Sequence, residues 1–275
     1  MDPRLQRRVQ RYGWDKAAAF YEQYWAAQLL PAQDRLMAFA ALQPGERVLD
    51  VACGSGLVTF RAATAVQPGG SVLATDISEA MVTIVRQRAE RDAWAHVAAE
   101  RMDGEELRVG DATFDVALCA LGLMYMPEPE GALREMYRAL RPGGRAVVAI
   151  WGARRECGWA EIFSIVDKRV QSEVCPLFFR LGGGDALSMV MQGAGFADVT
   201  VERMATTLHY DSASDACGAA FAGGPVALAY ARFDEATRAE VHAEYIASVA
   251  AYAHGEVLDV PGTFVIARGV RPAGG

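Results

Sequence analysis

Lysine is nearly absent. Of 27 basic residues only Lys16 and Lys168 are lysines; the rest are arginine. Schiff-base chemistry and lysine-dependent phosphate loops therefore have two candidate residues in the whole chain. A basic surplus is also missing, because 34 acidic residues leave a formal charge of -7. A nucleic-acid binder needs a positive face to displace counterions, so the charge argues against that class. The five cysteines (Cys53, Cys119, Cys157, Cys175, Cys217) are odd in number and contain no C-x-x-C pair, and the four histidines are scattered. Neither a disulfide framework nor a zinc site is expected, and no metal is assigned. No charged-then-apolar leader opens the chain and no run of about 18 apolar residues could span a bilayer. A reducing cytoplasm is the expected location.

What is present is apolar content, 52% against 22% charged. A chain of 275 residues buries about 70% of its unfolded surface without covalent staples. Residues 1–43 read as a helical segment, with Arg4, Arg7, Arg8 and Arg11 as a solvated face. Six aromatics follow between Tyr12 and Trp25, and Phe20/Tyr24 and Tyr21/Trp25 are i,i+4 pairs on one helix. From Pro44 the texture alternates. Strands are expected at Arg47–Cys53, Ser71–Ile77, His96–Met102, Phe114–Ala120 and Arg145–Trp151. Helices are expected at Leu57–Val66, Ser78–Asp92 and Glu130–Leu140, the last stopped by Arg141-Pro142-Gly143-Gly144. Continuous apolar strands alternating with helices imply a parallel sheet covered on both faces. Further on, Asp185–Gly193 reads as a helix, Asp198–Ala205 and Gly262–Val270 as strands, and Thr237–Tyr252 as helical.

Chemistry concentrates at the ends of the first strands. Val48–Gly56 (VLDVACGSG) runs a buried strand into a glycine-rich turn and a helix. Ligands of parallel sheets bind at such carboxyl ends. Gly54 and Gly56 let the backbone approach a ligand. Asp76 ends the second strand, 22 residues after Gly54, where a carboxylate can accept both ribose hydroxyls of a nucleoside. Asp103, followed by Gly104, ends the third, where it can meet an exocyclic amine. The turn has Thr59 where a dinucleotide fingerprint has its third glycine, and it lacks a Walker lysine. The one Tyr-x-x-x-Lys, Tyr12–Lys16, lies upstream of the glycine-rich strand, whereas a reductase needs it downstream.

Together these residues resemble the class I S-adenosylmethionine-dependent methyltransferases, and most of all the ubiquinone/menaquinone-biosynthesis type. VLDVACGSG is similar to that family's first motif and ATDIS with Met81 to its second. MDGEELRVGDATFD resembles the third, and ALGLMYMPEPEGALREMYRALRPGG the fourth and fifth. The resemblance covers Pro44–Gly152 strongly and the last strands loosely. It implies an α/β fold: a Rossmann-like, doubly wound, seven-stranded sheet, mostly parallel with the last strand antiparallel. It implies S-adenosyl-L-methionine as cofactor, with S-adenosyl-L-homocysteine as product. Asp50 and the turn Ala52, Cys53, Gly54 and Gly56 would hold the methionine end. Asp76 would hold the ribose, Ile77 and Met81 would flank adenine, and Asp103 with Gly104 would meet its amine. Cys119, with Ala120, would line the methyl-donor side. Two departures stand out: Ala52 replaces a common glycine, and Met124-Tyr125 replaces a frequent histidine pair.

On the acceptor side the candidates are Tyr125, after the fourth strand, and His209, beside Tyr210. A sulfonium arrives already activated, so alignment of the acceptor matters most, and a base matters only if the acceptor must lose a proton. The reading is a single domain, 1–275. Its core is 44–151, 184–205 and 262–270, and its cap comes from 1–43, 152–183 and 206–261. The expected reaction is in-line methyl transfer to a small-molecule acceptor of apolar or aromatic character, at O, N or C. The alternatives are a catalytically idle subunit that kept the cofactor fold and, third, an NAD(P) oxidoreductase. Monomer and homodimer are both open.

Overall fold

A computed structural model describes residues 2–170, 175 and 177–274. The chain opens with one long helix, α1 (Pro3–Ala40), started by the Asp2 side chain accepting from the Arg4 amide and ended by Ala41 in the left-handed region. An alternating series follows: β1 (Arg47–Val51), α2 (Thr59–Ala65), β2 (Ser71–Asp76), α3 (Glu79–Arg91), β3 (Val97–Arg101), β4 (Phe114–Ala120), α4 (Pro129–Ala139) and β5 (Leu140–Trp151). The second half adds α5 (Glu161–Asp167), α6 (Ala186–Gly193), β6 (Ala197–Tyr210), α7 (Ala213–Cys217), α8 (Ala227–Tyr230), α9 (Glu235–Val249), β7 (Ala253–His254) and β8 (Val257–Val270).

The strand order is β3-β2-β1-β4-β5-β8-β6. β1 to β5 pair in parallel, and β8 is antiparallel to both β5 and β6. This is the doubly wound sheet with one reversed strand, and the two-residue β7 adds an eighth member on β8. The order reverses at β1, whose carboxyl end therefore opens a crevice between outgoing loops. Strands buried on both faces explain the continuous apolar runs: Val48, Leu49, Val116, Ala117, Leu118, Val147, Val148 and Ile150 are all fully buried. α4 packs Ala132, Leu133, Met136 and Ala139 inward at helical spacing. The C-terminal part of α1 does the same with Ala32, Leu36 and Ala40.

Two expectations are corrected. The segment Arg141–Gly144 is not a stop outside the sheet but the irregular start of β5. Phe114 pairs Leu140 and Val116 pairs Arg145, so a register shift absorbs it. β6 and β8 also run further than expected, pairing from Ala205 with Thr263 to Tyr210 with Leu258. β5 ends at Trp151, as expected, opposite Phe264, so the added length of β6 and β8 extends past it. The outer parts of β6 and β8 thus form a two-stranded ribbon inside the segment read as cap, and α7 to α9 lie between its ends.

Candidate functional site

The carboxyl ends of β1, β2, β3 and β4 face a cavity of about 700 Å³. Three backbone turns shape it. After β1, Ala52 (φ 56°), Gly54 (φ 55°) and Gly56 (φ 91°) all take left-handed conformations, so the chain curls tightly before α2. A side chain on Gly56 would lie 2.8 Å from the Phe60 ring. After β4, Gly122 approaches Ala52 so closely that a Cβ there would sit 2.3 Å from the Ala52 Cβ. The two strand-end turns touch, and this contact sets the cavity floor.

Asp76 locks the glycine turn to the next loop. Its Oδ2 accepts from the Gly54 amide at 2.9 Å and its Oδ1 from the Ser78 amide at 2.9 Å. Each oxygen keeps a lone pair for a ligand. Burial pushes its carboxyl up to about 6, against the pull of those two amides. Beneath the turn, Asp50 is fully buried, accepts from Thr59 Oγ1 at 2.7 Å, and leaves Oδ1 without a partner among the described residues. Burial pushes it up to about 7. Two poorly solvated carboxyls side by side favour a cationic ligand.

α1, part of the segment 1–43 read as cap, lies over the cavity; the part taken by Arg7 and Gln10 is what the sequence reading missed. Arg7, Gln10, Trp14 and Tyr21 line the cavity. Their spacing of three, four and seven marks one helix face, a signal available in the sequence. Arg7 does not belong to a solvated face: it pairs with Glu105, with Glu128 at 2.8 Å and with Asp103 at 3.4 Å. Asp15 Oδ1 accepts from Ser78 Oγ at 2.6 Å and from the Ala80 amide at 3.2 Å. α1 is thereby fastened to the loop after β3 and to the start of α3. Tyr21 lies under Gly54, and burial with the nearby Asp76 charge raises its hydroxyl.

Of the residues singled out in the sequence, Ala52, Gly54, Asp76, Ile77, Met81, Asp103, Gly104 and Tyr125 line this cavity. Cys53, Gly56, Asp50 and Cys119 lie behind it; Cys119 is fully buried on the far side of Gly122. His209 is elsewhere. It is an exposed residue whose Nδ1 pairs with Asp259 at 2.7 Å, and it lines none of the cavities described here. Tyr210, one residue on, points the other way.

A second cavity, about 560 Å³ with its solvent-open mouth included, adjoins the first. Trp14, Tyr21, Leu121 and Tyr125 line both. The rest of its wall includes Trp25, Trp151, Trp159, Tyr210 and Tyr245, and every described residue lining it is uncharged. Trp14 meets Tyr21 and Tyr125 edge-on at 5.8 and 5.1 Å, and Tyr125 meets Phe178 at 5.2 Å. Burial holds the Tyr125 hydroxyl well above its ordinary value.

The "Methyltransferase domain" family matches residues 48–144, from β1 to the start of β5, which supply the described lining of the first cavity apart from the four residues of α1. This stretch is a methyltransferase domain. S-adenosyl-L-methionine is the methyl donor of the class I family it resembles, and the paired acids and tight turn fit a cationic nucleoside ligand. The chain is 28% identical to nocamycin O-methyltransferase of Saccharothrix syringae, over 95% of this chain and 99% of that one. It is 39% identical to a ubiquinone/menaquinone biosynthesis C-methyltransferase of Ectopseudomonas mendocina. That match spans 40% of this chain and less than half, 43%, of the relative. The phosphoethanolamine N-methyltransferase 2 of Haemonchus contortus, solved with S-adenosyl-L-methionine, shares the fold. Its TM-score is 0.61 at 19% identity, over 94% of this chain and 57% of that one. Among the described residues no helix is long and apolar enough to cross a membrane.

Proposed function

We propose that this methyltransferase transfers a methyl group to a small, uncharged, largely apolar acceptor held in the second cavity. The observation that carries this reading is the shared wall. Trp14, Tyr21, Leu121 and Tyr125 border both cavities, so two ligands can meet there and nowhere else around the first cavity is a comparable chamber described. The charged first cavity suits the cofactor and the uncharged second suits the acceptor.

When bound, S-adenosyl-L-methionine supplies a methyl group already activated by a positive sulfur. The chain's task is then to bind, align and keep water out. Asp76 accepts the ribose hydroxyls while its amide partners hold it in place. Ile77 and Met81 sandwich the adenine, and Asp103 with Gly104 takes its amine. Asp50 offers its free Oδ1 at the methionine end, and Cys53, Gly56 and Cys119 shape the turn from behind. Tyr125 orients the acceptor by donating a hydrogen bond; with its hydroxyl held protonated, it is not the base. Alignment of this kind contributes several kcal/mol to lowering a barrier, of order 7 in good cases. A relative that matches along nearly its whole length is named an O-methyltransferase, which supports an oxygen acceptor. The layout supports one domain with a cap built from α1, α5 and the segment between β6 and β8.

The test is transfer of labelled methyl from S-adenosyl-L-methionine to a panel of neutral polycyclic hydroxylated compounds, charged amines and oligonucleotides. Label in the neutral compounds is expected, together with loss of that label in Ala220→Leu, which fills the second cavity while leaving cofactor affinity intact. Label only in amines or oligonucleotides sinks this reading. Cofactor binding with no transfer to any of them favours the idle-subunit alternative.

A further inference from the structure

β6 ends the sheet, and one side of it has no partner strand among the described residues. Two hydrogen bonds show which of its backbone groups face that side. The His209 amide donates to Gln28 Oε1 at 3.1 Å, and the His209 carbonyl accepts from Gln28 Nε2. In an antiparallel ladder the N–H and C=O of one residue point to the same side, and successive residues alternate. His209 therefore faces away from β8. β6 pairs with β8 without a break from Thr200 to Tyr210. Thr207, Ala205, Arg203 and Val201 then face away from β8 as well. Among the described residues their amides and carbonyls make no hydrogen bond on that side. Gln28 stands in for a neighbouring strand at His209, and the edge before it, Val201–Thr207, is open.

This edge is not blunted. Proteins protect long edges with proline, bulges or unpaired charges. Val201–Thr207 holds no proline and no register shift. Its two charges are already paired within the chain, Glu202 with Arg35 at 2.5 Å and Arg203 with Glu156 at 2.5 Å. Val201, Arg203, Ala205 and Thr207 are exposed, on the face opposite the one where Glu202 meets α1. The other end of the sheet is β3, which has only five residues against fourteen in β6.

The open edge is also complementary to itself. Antiparallel pairing of two copies about a two-fold axis brings together residues of the same face. Centred on Met204, it uses the whole open stretch. Val201 meets Thr207 and Arg203 meets Ala205, each through its outward amide and carbonyl. Glu202 meets Thr206, and Met204 meets its own copy, so no like charges oppose each other. Centring on Glu202 or Arg203 instead sets two carboxylates or two guanidiniums face to face, which is destabilising. Centring on Ala205 brings in His209, whose backbone Gln28 already holds. We propose that Val201–Thr207 is a homodimer interface, in which two copies of this chain pair antiparallel about Met204 and join their sheets into one.

Sedimentation of the full chain over a hundredfold range of concentration is the test. A reversible shift from the chain mass to twice that mass is expected. Ala205→Pro removes an amide that bonds only across the interface and leaves the ladder with β8 whole. It should stay monomeric throughout, with S-adenosyl-L-homocysteine affinity within twofold of the parent. Proline can also disturb the strand itself, so two further pairs of variants fix the register. Ala205→Glu and Ala205→Arg put opposite charges across from Arg203 of the second copy. The dimer should tighten with the first and weaken with the second, by about threefold each. Met204→Cys sets two thiols on a non-hydrogen-bonded pair, with Cα atoms about 4.5 Å apart, within disulfide reach. Oxidised glutathione should convert it to a disulfide-linked dimer, and Thr206→Cys, which faces Glu202 instead, should stay unlinked. The five native cysteines are buried. A monomer at every concentration overturns the proposal. So does a dimer that ignores both charges at 205, or one that cross-links equally through both cysteine variants, because it then uses another surface.

Discussion

The two cavities are built in opposite ways. The first is made of short loops at consecutive strand ends, at 52–54, 76–81, 102–105 and 120–127, with α1 laid over them. The second takes four residues from α1, three from 121–125 and the rest from places as far apart along the chain as Trp151 and Tyr245. The first is rich in charge, with Arg7, Asp76, Asp103 and Glu105, whereas every described residue lining the second is neutral. The difference teaches where each kind of recognition is stored. A cation with a fixed nucleoside can be met by a few carboxylates on a rigid sheet edge. An apolar molecule is met by shape, and shape needs walls from distant parts of the chain.

Substitutions that strike one cavity and spare the other test this contrast. The largest effect is expected from Asp76→Ala, which removes ribose acceptors and frees the Gly54 and Ser78 amides together. S-adenosyl-L-homocysteine affinity should fall about 30–100-fold, or roughly 2–3 kcal/mol. Binding of the neutral polycyclic compounds in the second cavity should change little. Calorimetry showing a change below threefold would mean that the carboxylate is not the anchor.

Next comes pH. With the Asp76 carboxyl near 6, S-adenosyl-L-methionine affinity should drop about tenfold from pH 7 to pH 5 as the carboxylate is lost. The ligand-free protein should show the reverse trend in stability. Between about pH 4 and 6 the unfolded chain releases a proton that folded Asp76 still holds, so stability falls as pH rises through that window. Asp50 extends the same trend towards 7. Melting curves that rise with pH across this range contradict the burial of the pair.

A smaller effect is expected from Gly122→Ala. Its new methyl meets the Ala52 Cβ, and overpacking of this kind costs about 1–3 kcal/mol. Because Gly122 braces the turn under the first cavity, the melting temperature and cofactor affinity should fall together. A lower melting temperature with unchanged cofactor affinity would separate the floor contact from the site. The smallest effect is expected from His209→Ala: no measurable change in methyl transfer, since the imidazole faces Asp259 at the surface. A loss of tenfold or more would restore it as a participant.

The same contrast decides how much the sequence reveals. The first cavity is legible because its residues are neighbours along the chain. Asp76 follows Gly54 at a distance fixed by one helix and one strand, and Asp103 repeats the pattern one unit later. Arg7 escaped because nothing local says which face of α1 lies over those loops; the aromatics around Tyr21 mark a cap helix without saying what it touches. His209 lies off both cavities for a geometric reason. With β6 ended at Ala205, the two-residue alternation stops too early. Continued to Tyr210, it buries Leu208 and Tyr210 and turns His209 outward. The register shift that takes Arg141–Gly144 into β5 is likewise a matter of partner strands, which the segment's own turn-forming residues hide.

The outer ribbon of β6 and β8 has a consequence for how acceptors can change. Its open end holds residues 211–256 as one contiguous insert, and that insert supplies Ala220, Pro225 and Tyr245 to the wall of the second cavity and none of the described lining of the first. Exchanging it at Tyr210 and Val257 leaves untouched every strand whose end meets the cofactor. The ribbon is thus a socket, and, on the proposed division of the two cavities, a new substrate range is reachable by replacing a plug.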